Sequence, residues 1–255
     1  MVYISSTQNT KIKELKKLQT HKGRKKQQRY LLEGEHLIFE ALQQQISLQD
    51  VYVTTDYLNR DPKHLVRDHF PNAIEISREV AQALGETVTP QGIIAVTPLV
   101  ALQAPTLTHG TWLLLDQIQD PGNVGTMIRT ADAAGFTGVI LSPDSADFYS
   151  AKVQRAMQGS QFHLQIQSME LTQAIEQLKA AQIPVYGTLV DETAQPYQTL
   201  TAPQQFALIM GNEAHGLNPD LAKLTDLNLY IPILGQAESL NVGVAAGILI
   251  YRLSV

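Results

Sequence analysis

The 255-residue sequence predicts an α/β protein in two parts, and three observations carry that expectation. Short apolar runs alternate with helical patterns over 30–99 and again from 111 onward, the pattern of helices packed on a largely parallel sheet. Residues 100–110, VALQAPTLTHG, interrupt the alternation with no clean period and with Pro105 and Gly110, so they are the expected linker. The charge divides as well. Residues 1–30 hold seven Lys and two Arg against Glu14 alone, a net +8, whereas the remaining 225 residues carry 10 basic and 23 acidic side chains, a net −13.

In the first part, IKELKKL (12–18) places Ile12, Leu15 and Leu18 on one side of a helix, and KGRKKQQR (22–29) reads as a polar, basic connector. YLLEGEHLIFEALQQQ (30–45) predicts a strand, a glycine turn and a helix, and DVYVTT (50–55) a β-rich strand. LNRDPKHLVRDHF (58–70) starts as loop and continues as helix; AIEIS, REVAQALG and GIIAVTPL (73–77, 78–85, 92–99) then give strand, helix and strand. In the second part the expected strands are 111–116, 137–141, 162–166, 184–189, 205–210 and 227–231. Helices are expected near 123–134, 150–158, 170–182 and 240–252. The domains are therefore drawn at 1–99 and 111–255.

Composition excludes several functions. There is no cysteine, hence no disulfide framework, thiol nucleophile or Cys-based zinc site. The seven histidines (21, 36, 64, 69, 109, 163, 215) form no metal-ligand spacing, so no metal is expected. No apolar run approaches the roughly 20 residues of a membrane span, and the expectation is a cytoplasmic protein without a membrane partner. G-x-G-x-x-G, Walker A and G-x-S-x-G are absent, which leaves nicotinamide-cofactor and serine-hydrolase readings without a site. The basic arm on an acidic body points to a polyanion; a solvated helix is the alternative.

Three segments remain. DPGNVGTMIRTADAAGF (120–136) follows the strand TWLLLDQ, with Asn123 where an N-cap belongs and Arg129 on the exposed face beside Thr126 and Thr130. FALIMGNEAHGL (206–217) is an apolar strand running straight into Gly211, Asn212 and Glu213. Strand ends of this kind bind ligands, although an ordinary polar turn would read the same way. LNLYIPILGQAESLNVGVAAGILIYRL (227–253) passes Gly235, Glu238 and Ser239 before a helix that is apolar all round and so expected to be buried.

Taken in order, NVGTMIRTADAAGF, IMGNEAHGL and IPILGQAESLNVGVAAG resemble the SpoU (TrmH) family of RNA ribose 2′-O-methyltransferases, of the SPOUT superfamily. The first part is similar to the substrate-binding domain of one branch, an L30e-like α/β domain, through SSTQNTKIKEL (5–15), LLEGEHLIFEAL (31–42) and TPQGIIAV (89–96). The resemblance implies a catalytic domain closed by a trefoil knot, S-adenosyl-L-methionine as cofactor, a homodimer formed through the first and last helices, and RNA as substrate. Ribosomal RNA, of the large subunit (23S), is favoured over transfer RNA.

The resemblance also assigns roles. The catalytic set is Arg129, Asn123, Glu213, Ser239 and Asn241, with Arg129 as base or as a clamp on an RNA phosphate. Cofactor contacts fall on Thr188, Leu189, Gly211, Asn212, Ile231, Leu240 and Asn241. RNA contacts are expected at Lys11, Lys13, Arg24, Lys25, Lys26, Arg29, Arg129, Lys152 and Arg155. Around the last two the family shows Asn-Pro-Lys and Arg-Ala-Ser where this chain has Tyr149-Ser150-Ala151-Lys152 and Arg155-Ala156-Met157.

Overall fold

A computed structural model describes residues 2–87, 89–99, 107–189, 194–201 and 203–254; most of the expected linker, 100–106, lies outside them. The chain forms two compact units, one of residues 1–101 with 149–162, the other of 102–148 with 163–255.

The first unit begins with β1 (Tyr3–Ile4), α1 (Thr10–Lys16), a 3-10 turn at Lys17–Gln19, α2 (His21–Gln27), β2 (Arg29–Glu33) and α3 (Glu35–Gln43). It continues with β3 (Asp50–Thr54), α4 (Thr55–Arg60), α5 (Leu65–His69), β4 (Ile74–Ile76), α6 (Arg78–Leu84) and β5 (Ile93–Pro98). The sheet order is β1-β4-β3-β5-β2, with β5 antiparallel to both of its neighbours and the other pairs parallel. Ile12, Leu15 and Leu18 pack with Tyr52, Val80 and Leu84 on one face; Leu37, Ile38, Tyr57 and Leu65 cover the other. Being covered on both sides, β5 is apolar at successive positions instead of alternating.

Three elements of the first unit depart from expectation: β1, for which no strand is read; α4, which covers residues read as strand end and loop; and the basic connector. The basic connector is a helix, α2, capped by Thr20, whose hydroxyl accepts from Gly23 N at 3.1 Å, and closed by Gln28 at φ 53°. Its only buried residue is Arg24, which donates from Nη1 to Leu18 O at 2.8 Å. A helix held by caps and one arginine has no apolar period to read.

The second unit contains β6 (Trp112–Leu115), α7 (Pro121–Ala133) and β7 (Gly138–Leu141). After α8 (Ala151–Met157) and a 3-10 turn at Ser160–Phe162, both in the stretch grouped with the first unit, it resumes with β8 (Gln165–Ser168), α9 (Leu171–Ala180) and β9 (Val185–Thr188). It ends with β10 (Gln195–Pro196), β11 (Ala207–Met210), α10 (Pro219–Ala222), β12 (Leu227–Tyr230) and α11 (Val242–Ser254). The order is β10-β12-β9-β11-β6-β7-β8, every pair parallel. Trp112, Leu114, Ile140, Val185 and Ile209 pack with Leu171, Ile175 and Leu178 of α9. β6, β7 and β11 are buried at every residue, as a sheet covered on both faces requires.

The two-part α/β fold class is the expected one. β11 and β12 flank β9, so the chain crosses to the far side of β9 and then returns to lay α11 against α7, the kind of return path a knotted form needs. The strand expected at 162–166 starts at Gln165 because 160–162 turn first. α11 is not buried all round: Gly243, Ala246, Leu249, Ile250 and Leu253 are covered, while Val244 and Tyr251 are 53% and 48% exposed.

In the first unit, α8 is anchored by Gln154, which is buried and donates to Leu31 O (3.2 Å) and Tyr149 O (2.8 Å). The Tyr149 ring lies 4.8 Å from that of Tyr30.

Candidate active site

All seven strands of the second sheet are parallel, so the loops after β6, β9, β11 and β12 leave from one edge. The first loop starts at Asp116, whose buried carboxyl accepts from Asn218 N at 2.9 Å. Burial pushes the Asp116 pKa up, partly offset by that bond. The bond ties the end of β6 to the far end of the loop that follows β11.

The cap of α7 is Asp120, not Asn123: Asp120 Oδ1 accepts from Asn123 N at 2.9 Å, and Pro121 fills the first turn, where no N–H is needed. The Asn123 side chain is thereby released for other work. Its Nδ2 donates to Glu213 Oε1 (3.1 Å), and its Oδ1 accepts from Asn241 Nδ2 (3.1 Å). Glu213 also accepts from Gln119 N (3.3 Å) and Asp120 N (3.2 Å). Burial alone would raise the Glu213 pKa, but the bonds from Asn123 and from the main-chain N–H groups of Glu213, Asp120 and Gln119 outweigh it and leave the carboxyl below its ordinary range. Asn241 Oδ1 accepts from Gly243 N (2.9 Å) and Val244 N (3.2 Å), capping α11. One chain of side-chain bonds, Glu213–Asn123–Asn241, thus stitches three loops far apart in sequence.

The loop after β11 is tight. Asn212 and Gly216 exchange main-chain bonds at 2.9 Å, and Asn212 Oδ1 accepts from Ala214 N and His215 N (2.9 and 3.1 Å). Asn212 Nδ2 reaches across to Gln117 O at 2.7 Å. A Cβ on Gly211 would fall on the backbone of Gly216 and Leu217, so only glycine lets the loop fold back this closely. After β9, Thr188 Oγ1 donates to Ile209 O (2.9 Å) and Leu189 N to Leu229 O (3.0 Å). After β12, Ile231 is half-buried and Leu240 is 37% exposed.

Among the expected catalytic residues, then, Asn123, Glu213 and Asn241 join directly. Arg129 is exposed on α7 and has no hydrogen-bond or ion-pair partner among the described residues. Ser239 is exposed and joins none of the bonds described among these residues. Asp116, Gln119 and Asp120 are additions. The Asp-Pro pair at 120–121 is a readable cap signal; the partner of the buried Asp116 lies 102 positions away and is not.

The expected RNA contacts lie mostly in the first unit. Lys13, Lys25, Lys26 and Lys152 are exposed, Lys11 sits 3.4 Å from Asp50, and Arg29 is half-buried with a bond to Gln27 Oε1 at 2.8 Å. Arg24 is a correction: at 5% exposure and bonded to Leu18 O, it holds the basic hairpin together and offers no surface to a ligand. Among the described residues no cluster of His, Asp or Glu is arranged to hold a metal, and no helix is long and apolar enough to cross a membrane.

This arrangement has relatives. The SpoU rRNA Methylase family matches over residues 110–251, and the MRM3-like substrate binding domain over 9–95. The chain is 44% identical over 253 residues to the 23S rRNA (guanosine(2553)-2′-O)-methyltransferase RlmP of Bacillus subtilis (strain 168), covering 99% of each. A crystal structure of an RNA 2′-O ribose methyltransferase superposes with a TM-score of 0.85 at 30% identity, covering 99% of this chain and 98% of that one. An AdoMet-bound rRNA methyltransferase from Sinorhizobium meliloti gives 0.85 at 28%, covering 98% and 96%. With its three stitched loops on a parallel sheet and a family match spanning more than half its length, the chain belongs to the SpoU family of rRNA methylases.

Proposed function

We propose that this protein methylates a ribose 2′-hydroxyl of 23S ribosomal RNA with S-adenosyl-L-methionine as donor, acting in the cytoplasm as a homodimer. The observation that carries the reading is the Glu213–Asn123–Asn241 chain, which draws the loops after β6, β11 and β12 to one strand edge. The residues there fit such a donor. Thr188, Leu189, Gly211 and Ile231 stand at the ends of adjacent strands and offer main-chain donors and acceptors, while Leu240 and Ile231 supply apolar surface for a nucleoside face. Asn212 and Asn241 fix the two loops that would hold it. When bound, S-adenosyl-L-methionine supplies an electrophilic methyl group on a sulfonium.

The chain's own task is to place the 2′-oxygen and dispose of its proton. A ribose hydroxyl is a weak nucleophile at neutral pH, so orientation carries much of the rate. Arg129, exposed and unpaired among the described residues, is the side chain able to clamp the neighbouring RNA phosphate through two parallel N–H bonds. A guanidinium holds its proton throughout the neutral range and is a poor base, which favours the phosphate as the immediate proton acceptor. Ser239 lies in the loop leading to α11 and is exposed. The uncovered apolar residues of α11, Val244 and Tyr251, support a second copy packed on that helix.

The test is a map of 2′-O-methyl groups on total RNA from cells with and without the protein. The reading predicts the loss of one 23S rRNA methylation; an unchanged large-subunit map, or a loss confined to transfer RNA, overturns it.

A further inference from the structure

The loop after β11 is fixed to the rest of the site through one carbonyl, that of Gln117, which accepts from Asn212 Nδ2 at 2.7 Å. Gln117 stands just past β6 at φ 53°, a left-handed conformation that is strained for a residue carrying a Cβ. Every other non-glycine residue with positive φ among those described flanks a helix; Gln117 follows a strand and enters the candidate site. What holds it there is Ser142, the first residue past β7. The Oγ of this buried serine accepts from Gln117 N at 2.8 Å.

The hydroxyl is itself oriented. Ser145 Oγ donates to Leu115 O at 3.3 Å, so across the 3.0 Å between the two serine oxygens it is Ser142 that donates. Ser145 Oγ also accepts from Ile118 N (3.2 Å), and Ala146 N donates to Ile118 O (2.8 Å). Residues 116–118 are thus clamped from two sides: by these serines after β7, and after β11 by Asn212 and by Asn218 N on the Asp116 carboxyl. Without the Ser142 bond, Gln117 would relax toward negative φ and turn its carbonyl away from Asn212. The effect would travel, because Asn212 Oδ1 holds Ala214 N and His215 N on either side of the loop tip, and Glu213 between them holds Asn123.

We infer that Ser142 and Gln117 are positioning residues for methyl-donor binding: the Ser142 hydroxyl keeps Gln117 left-handed, and the Gln117 carbonyl then sets the 211–217 loop through Asn212. The inference rests on the methyltransferase reading above. Both residues act through Asn212, and neither is a catalytic residue.

The experiment is a double-mutant cycle read by calorimetric titration of S-adenosyl-L-methionine into the full-length wild type, Ser142→Ala, Gln117→Gly and the double variant. Glycine takes positive φ at no steric cost, so the serine has less to hold in that background. Removing the hydroxyl is expected to weaken donor binding about ten-fold in the Gln117 chain, the scale of one main-chain N–H left without its acceptor. In the Gln117→Gly chain the loss is expected to be under about three-fold. Gln117→Val keeps the serine but resists positive φ, and is expected to lose donor affinity as Ser142→Ala does. In the donor-free protein, hydrogen exchange at Ala214 and His215 is expected to speed up in Ser142→Ala. An equal loss in both backgrounds would make Ser142 a support of β7 alone and overturn the inference, as would wild-type affinity in Gln117→Val or unchanged exchange in Ser142→Ala. Absence of donor binding by the wild type removes the proposed function and this inference with it; donor binding without the coupling removes the inference alone.

Discussion

Asn241 does two separable jobs, and two substitutions divide them. Asn241→Ala deletes the acceptor for Gly243 N and Val244 N and the donor to Asn123 Oδ1. Losing the cap costs about 1 kcal/mol, and the exposed side-chain bond adds at most about 1 kcal/mol more. For a chain of this size each ~1 kcal/mol moves the melting point by ~2–4 °C, so a fall of about 2–8 °C is expected. Asn241→Asp keeps the capping oxygen and places negative charge at a helix N-terminus, which is favourable. It also replaces the donor facing Asn123 by a second acceptor. Asn241→Asp should therefore melt close to the wild type, yet lose affinity for S-adenosyl-L-methionine as Asn241→Ala does, because the three loops are no longer stitched. Scanning fluorimetry gives the first readout and calorimetric titration of the donor the second. Equal melting losses in both variants would refute the cap; wild-type donor affinity in both would refute the stitch.

The other perturbations follow the same geometry. Arg129→Lys retains the charge but not the paired N–H fork, and turnover on 23S rRNA should fall about 10–100-fold, the equivalent of ~1.4–2.8 kcal/mol, with donor affinity and melting point unchanged; near-normal single-turnover rates would exclude the bidentate clamp. Gly211→Ala drives a Cβ onto the backbone of Gly216 and Leu217, so the loop must open, and donor affinity should be lost in calorimetry. Arg24→Ala should lower the melting point by breaking the bond to Leu18 O, whereas Lys25→Ala with Lys26→Ala should leave it alone and reduce the salt dependence of RNA binding, by ~0.7 in log–log slope for each RNA phosphate no longer neutralised. Glu213 has a folded pKa below its ordinary value of 4.5, so its stabilising contribution is present above about pH 4.5 and is lost as pH falls through the folded pKa. Glu213→Gln should flatten that part of the acid limb of the melting-point profile; an unaltered limb would remove the assignment.

Much of the second unit is legible in the sequence because its elements carry periodic apolar signals. TWLLL, GVIL and ALIM are continuous runs that only a sheet covered on both faces can hide, and the α9 stripe of Leu171, Ala174, Ile175 and Leu178 keeps a helical period. Elements stabilised without apolar periodicity escape. α2 rests on the Thr20 cap and the buried Arg24, and the two-residue β1 rests on its pairing with β4. The exposure on α11 escapes too, because a helix that reads as apolar on every side gives no sign of which part is left uncovered. At the site, motif order identifies Asn123, Glu213 and Asn241, but not that they bond to one another over separations of 90 and 118 residues. The capping role falls to Asp120 instead of Asn123 because Pro121 can occupy the first helical turn, a signal the sequence does carry.

The most direct test of the account is transfer of a labelled methyl group from S-adenosyl-L-methionine to 23S rRNA by the purified protein, followed by alkaline hydrolysis of the product. A 2′-O-methyl ribose blocks cleavage at its own linkage, so the account predicts label in an alkali-resistant dinucleotide, abolished in Arg129→Ala. Label recovered only in alkali-released mononucleotides would place the methyl on a base and contradict it.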